Sequence, residues 1–143
     1  MPYRYLEDIA IADVAFEASG KTLEELFAAA ADALTNVMVE ELETIRGRVT
    51  MEVALEREEE DLLLFDFLNE LVFQKDARRL LLRVASLAVN HQDGLFSLRA
   101  LLSGEVIDPA RHRLNVDVKA VTLHLFRVEE TEAGWKATVV LDI

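Results

Sequence analysis

The rhythm of hydrophobic and polar positions changes along this chain, and each change marks an element. Val14-Ala15-Phe16-Glu17-Ala18 reads as a short strand that Gly20 breaks. Thr22, with Glu25 three residues later, predicts a capping box and a helix start. Leu23, Leu26, Phe27, Ala30, Leu34, Val37 and Met38 then recur at helical spacing, with Glu24, Glu25 and Asp32 outside the stripe, so a helix over 22–38 should pack one face on a sheet. Val49, Met51, Val53 and Leu55 alternate with Arg48, Thr50, Glu52 and Glu56, the pattern of a half-buried strand over 48–56. Glu58-Glu59-Glu60-Asp61 suits the positive end of a helix dipole and predicts a second helix over 61–75. Its residues are apolar on most sides, so it should be the more deeply buried of the two. Asp66 and Glu70 share a face of it and could hold a cation or a partner, a solvated edge being the plainer reading.

Two hairpins follow. Residues 80–89 and 95–102 flank Asn90-His91-Gln92-Asp93-Gly94, where Asp-Gly supplies the turn and His91 should be an exposed turn residue. Residues 118–128 and 135–142 flank the polar stretch Glu129 to Gly134. If Val128 pairs with Trp135, Asp142 falls opposite Val121 and Lys119 lies diagonally from it. Alternation places Thr122, His124, Phe126, Trp135, Ala137, Val139 and Leu141 on the core face, which favours His124 as a hydrogen-bonded core histidine over a ligand. The predicted fold is α/β of the α+β kind: one domain, 1–143, with two main helices on a mainly antiparallel sheet.

Composition narrows the function. At 143 residues and 52% hydrophobic, the chain can bury roughly 70% of its unfolded surface as one domain. Its longest apolar runs are far too short to cross a bilayer, and Met1 to Asp8 lacks a signal peptide's regions, so a cytoplasmic protein with no membrane contact is expected. There is no cysteine, so any metal must sit on oxygen or imidazole. A net charge of -12 repels phosphate backbones, and Arg78-Arg79, Arg83 and Arg111-His112-Arg113 are too scattered to offset it. No direct nucleic-acid binding is expected, and a role in RNA biology would run through a protein contact. Phosphate-cradling glycine loops, Gly-x-Ser-x-Gly elbows and His-Glu-x-x-His pairs are absent.

Two places carry candidate chemistry. Asp142 and the carboxylate of Ile143 are one residue apart and repel unless a cation, a donor or protonation intervenes, so this tip either faces water, the plainer reading of the residues alone, or holds an ion. Glu105, Asp108 and His112 could form a carboxylate and imidazole cluster, or simply a polar loop.

Several segments together carry a resemblance. They are Ala12-Asp13 leading into Val14 to Gly20, Lys21 to Phe27, Phe67 to Phe73, Gly104-Glu105 with Asp108 and His112, Val118-Lys119-Ala120-Val121-Thr122-Leu123-His124, and Leu141-Asp142-Ile143. In this order and spacing, over nearly the whole chain, they resemble the archease family. The resemblance implies a non-enzymatic activator of the RtcB-type RNA ligase of tRNA splicing, a transient protein partner whose GTP-dependent guanylylation proceeds through the ligase's own histidine-GMP intermediate. It also implies a metal site on Asp13, Asp142 and Ile143, which reverses the reading of the tip. The family's His-Thr-Ala-Asp is missing, since Leu6 to Asp13 lacks the histidine and threonine and is two residues longer. Asp13 keeps the spacing to Gly20 and takes the ligand role, with Asp8 in reserve. Leu123 stands where the family commonly has tyrosine. An oxygen-only ligand set calls for a hard divalent cation, calcium first, with magnesium or manganese as alternatives. Two other readings are weighed: a carboxylate-metal hydrolase using Asp13 and Asp142 with His112 as base, and a general chaperone.

Overall fold

The computed structural model describes residues 2–7 and 13–143. Seven strands and two helices follow in the order β1 (Tyr3–Leu6), β2 (Asp13–Gly20), α1 (Leu23–Met38), β3 (Val49–Arg57), α2 (Glu60–Arg78), β4 (Leu80–Gln92), β5 (Leu95–Val106), β6 (Ala120–Thr131) and β7 (Gly134–Asp142), with a 3-10 turn at Leu42–Thr44. The α+β class is as the periodicities predict. The strands divide into two sheets instead of one, in the orders β1-β2-β7-β6 and β3-β5-β4, and every pairing is antiparallel. β1, with only four residues, was not legible in the sequence.

Helix α1 starts where the side chain of Thr22 accepts the backbone N–H of Glu25 at 3.1 Å. It packs on β2 of one sheet and β4 of the other, while α2 packs on β6 of the first and on β3 and β4 of the second. Both helices thus bridge the sheets, and Phe27 stacks on Phe67 where the two helices meet, with ring centroids 6.1 Å apart. The expectation that α2 is the more buried helix is corrected: ten of the sixteen α1 residues are buried, against eight of nineteen in α2. Four alanines on α1 (Ala29, Ala30, Ala31 and Ala33) are buried there, and small side chains let the helix lie close to its neighbours.

The β4–β5 hairpin closes on Asp93 and Gly94, both at positive φ (55° and 75°), the backbone that a two-residue turn between twisted strands requires. His91 is exposed as expected. It lies in the strand and not the turn, stacked on Phe96 with ring centroids 3.8 Å apart.

The last hairpin departs from its expected register. It closes on Glu132 and Ala133, so that Thr131 faces Gly134 and Val128 faces Ala137, not Trp135. A large bulge follows: four β6 residues, 123 to 126, lie between the pairs Thr122–Val140 and Arg127–Thr138, which on β7 are separated only by Val139. Leu125 takes up the extra length at φ 55°, a backbone costly for a branched residue. The bulge changes which alternate positions face the core. Phe126 packs against the core as expected and Val128 joins it, but Val121 replaces Thr122 there, and His124, carried out with Leu123 and Leu125, is exposed and not a core histidine.

Candidate functional site

Because β2 and β7 are neighbours, two carboxylates nearly 130 residues apart in sequence meet. Asp13, first in β2, is the direct cross-strand partner of Asp142, last in β7. Residues so paired share a face, with Cβ atoms about 5 Å apart. On its other side Asp142 faces Ala120 of β6, not Val121: the turn register differs from the expected one by two residues and the bulge takes up three in the opposite sense, a net shift of one. The row across the three strands therefore reads Asp13, Asp142, Ala120, and alanine adds no bulk beside the acids.

Two like charges placed directly opposite destabilise a sheet unless something answers them. Glu17, on the same face of β2, is answered by Arg4 at 3.3 Å and Lys136 at 3.9 Å. Asp13 and Asp142 have no such ion pair among the described residues. Lys119 was expected to reach Asp142 with its side chain. Instead its backbone N–H donates to the main-chain oxygen of Asp142 at 2.8 Å, and its ammonium makes no ion pair among the described residues. Ile143 is half-buried against the core, as its apolar side chain requires. Asp8, the reserve ligand, lies outside the described residues.

Among the described residues no three His, Asp or Glu side chains gather with metal-ligand geometry. The two opposed acids nonetheless fit a hard divalent cation in chemistry: both are oxygen donors, half-buried or exposed, and otherwise unanswered. The third expected donor, the carboxylate of Ile143, belongs to the residue next to Asp142.

The second candidate cluster forms in part: Glu105 and His112 meet, while the Asp108 carboxylate turns away to accept the Ala110 N–H at 3.0 Å. Glu105 is 6% exposed and His112 2%. Glu105 forms an ion pair with the Arg111 guanidinium, accepts the backbone N–H of Arg46 at 2.6 Å, and meets Nε2 of His112 at 3.0 Å. Nδ1 of His112 accepts the backbone N–H of Asp108 at 2.9 Å. That bond fixes the tautomer: Nδ1 is the acceptor, so the proton sits on Nε2 and is donated to Glu105. Arg111 also donates to the carbonyl of Thr44 at 2.6 Å, so the cluster ties the segment after the 3-10 turn to the end of β5 and the loop beyond it. The Arg111 guanidinium foremost, with the Arg46 N–H and His112, holds the Glu105 carboxyl down at about 2 against the opposing effect of burial. A histidine with both nitrogens engaged has no lone pair free to take a proton from water, so His112 is not placed to act as a general base.

Asp66 and Glu70 do not cooperate. Arg57 binds Asp66 through two nitrogens at 2.6 and 3.2 Å, and Glu70 accepts from the Gln74 side chain at 2.9 Å. Of the arginines weighed as a basic patch, Arg83 is paired with Asp32, Arg111 with Glu105 and Arg113 with Glu40. Lys75 escaped notice in the sequence although its spacing offered a signal: it lies three and four residues after Val72 and Leu71, on the buried face of α2.

The class of fold is a single α+β domain with two helices bridging two antiparallel sheets, and it carries a facing pair of carboxylates at one sheet end. Residues 3–143 match the model of the Archease protein family (MTH1598/TM1083), and the chain belongs to that family. It is 37% identical over 142 residues to the protein archease of Methanosarcina mazei, covering 99% of this chain and 95% of the relative. It is 35% identical over 133 residues to that of Pyrococcus furiosus, covering 92% and 93%. Among solved structures, protein 1598 of Methanobacterium thermoautotrophicum superposes with a TM-score of 0.85 at 29% identity over 99% of both chains. The fold is also that of a Thermotoga maritima protein described as an archease and possible chaperone, with a TM-score of 0.65 at 21% identity over 98% of this chain and all of that one. No helix among the described residues is long and apolar enough to cross a membrane.

Proposed function

We propose that this protein is a non-enzymatic activator of an RtcB-type RNA ligase, promoting the ligase's GTP-dependent guanylylation and repeated turnover in tRNA splicing, and that it acts through a cation held at Asp13, Asp142 and the Ile143 carboxylate. The observation that carries this reading is the register pair Asp13–Asp142, two acids facing each other with no ion pair to either among the described residues. Their repulsion is a standing cost to the sheet, and a calcium, magnesium or manganese ion would offset it. A bound hard cation would supply a Lewis-acidic centre at the end of the sheet, suited to organising phosphate oxygens in a partner's site. The chain's own contribution is to place the acids. The β2–β7 ladder sets their spacing, the Lys119 N–H holds the Asp142 main chain, and the Ile143 side chain packs the tip against the core. Covalent chemistry stays with the ligase, and the hydrolase reading loses support because His112 has no free lone pair.

The test is ligase guanylylation and multiple-turnover joining with and without limiting protein. Stimulation should vanish when the C-terminus is extended, because the Ile143 carboxylate then becomes a neutral amide, and should survive an N-terminal extension. Unchanged ligase turnover in the presence of the wild-type protein would end the reading. The chaperone alternative draws on exposed Phe73 (58%), Leu123 (60%) and Leu125 (54%), and predicts suppression of aggregation of unrelated proteins.

A further inference from the structure

The segment 113–119, which leads into β6 and the carboxylate tip, has no regular structure of its own apart from a single bridge between Leu114 and Val39. Its first half is pinned to the end of α1: the Glu40 N–H donates to the Arg113 carbonyl and the Asn115 N–H to the Met38 carbonyl, both at 2.9 Å. Its second half is pinned by one side chain, Lys75, in the last turns of α2. The ammonium donates to Oδ1 of Asp117 at 2.7 Å, to the Val118 carbonyl at 2.7 Å and to Oδ1 of Asp76 at 2.5 Å, which uses all the donors a lysine has. Next along the chain is Lys119, whose backbone N–H holds the main chain of Asp142.

We propose that Lys75 is a positioning residue for the carboxylate tip, fixing through Asp117 and Val118 the strap whose next N–H holds Asp142 opposite Asp13. A lysine only 6% exposed is an expensive way to finish a helix unless its bonds do something an apolar residue would not. Burial acts against the charge, yet Asp117 and Asp76 outweigh it and keep the ammonium above its ordinary range. Val118, bonded through its carbonyl, is itself fully buried, so the strap is clamped from inside and outside at the residue before Lys119. The distance from Lys75 to the tip is thus two hydrogen bonds and one peptide step, and none of those groups is a carboxylate of the tip.

This inference rests on the tip being a cation site, and its experiment separates the two. Lys75→Met keeps the length and removes the bonds. It should weaken Mn²⁺ binding, read by calorimetry with the metal alone, by about tenfold, the usual loss when a residue that orients a ligand is removed. It should also speed amide hydrogen exchange at Lys119. Leu71→Ala, in the same helix and buried, serves as the matched control: it lowers stability but should leave Mn²⁺ affinity and Lys119 exchange as in the wild type. Asp117→Ala, at an exposed side chain, tests the link if Lys75→Met does not fold, and should shift both readouts in the same direction by less. Wild-type Mn²⁺ affinity and wild-type Lys119 protection in these variants would overturn the proposal. If the wild-type protein binds no Mn²⁺, the cation reading fails, and Lys119 exchange alone decides whether Lys75 positions the tip.

Discussion

Glu105 and Asp142 are both carboxylates at the C-terminal end of a strand, β5 and β7 respectively, and their surroundings could hardly differ more. Glu105 is buried and answered several times over, by a guanidinium, a backbone N–H and an imidazole whose tautomer suits it. Asp142 is exposed and faces another acid. Burial without partners would make Glu105 ruinous, so the fold has assembled three partners around it from two segments, Arg46 and Arg111-His112. Exposure lets Asp142 stay unanswered at modest cost. A saturated charge is structural because nothing further can bind it, whereas an unsaturated pair is available to a ligand.

The largest expected effect is at the tip. Asp142→Asn and Asp13→Asn should each lower Mn²⁺ or Ca²⁺ affinity at least about tenfold and abolish ligase stimulation, with the circular dichroism spectrum unchanged. Calorimetry in which either variant binds as tightly as the wild type would erase the distinction between the two sites.

Next comes Glu105. Glu105→Gln should cost about 2 kcal/mol in urea unfolding, less than a fully buried pair because Arg111 keeps some contact with water. Its pH dependence has a definite sign. The native carboxyl titrates at about 2 and the unfolded one near 4.5, so between these values the unfolded chain binds the extra proton. The contribution of Glu105 is therefore complete above about pH 5 and is lost as pH falls toward 2. Urea midpoints measured across that window should slope less steeply in Glu105→Gln than in the wild type.

A smaller effect, of opposite sign, sharpens the contrast. Without divalent cation, Asp142→Asn relieves the opposed charges and should raise stability by about 0.5 kcal/mol, whereas with saturating Ca²⁺ the wild type should be the more stable. Thermal unfolding with and without Ca²⁺ reads both. Smallest of all is Asp66→Ala, which removes an exposed ion pair with Arg57 and should leave both cation affinity and ligase stimulation unaltered.

Much of this molecule was legible before folding because local periodicity is set by the residues themselves. The amphipathic stripe from Leu23 to Met38, the alternation from Val49 to Leu55 and the Asp93-Gly94 turn each carry their own physical instruction. The residues themselves named Asp142, Glu105 and His112 as having chemistry to offer, and the family resemblance added Asp13. The sequence could not reveal their surroundings. That Asp13 faces Asp142 depends on β2 lying beside β7, a pairing between opposite ends of the chain. His124 was misplaced because a bulge shifts the register between Thr122 and Arg127, and alternation read along one strand cannot see residues that its neighbour leaves unpaired. Lys75 and the Glu105 cluster follow the same logic: hydrogen bonds between Lys75 and Asp117, or between Glu105 and Arg46, join residues whose separation along the chain says nothing about their distance in space. Local sequence thus determined most of the elements, β1 excepted, and the apolar face of α1, while only the tertiary structure decided which charges are answered, because a charge is neutralised by whatever the fold brings within a few ångströms of it.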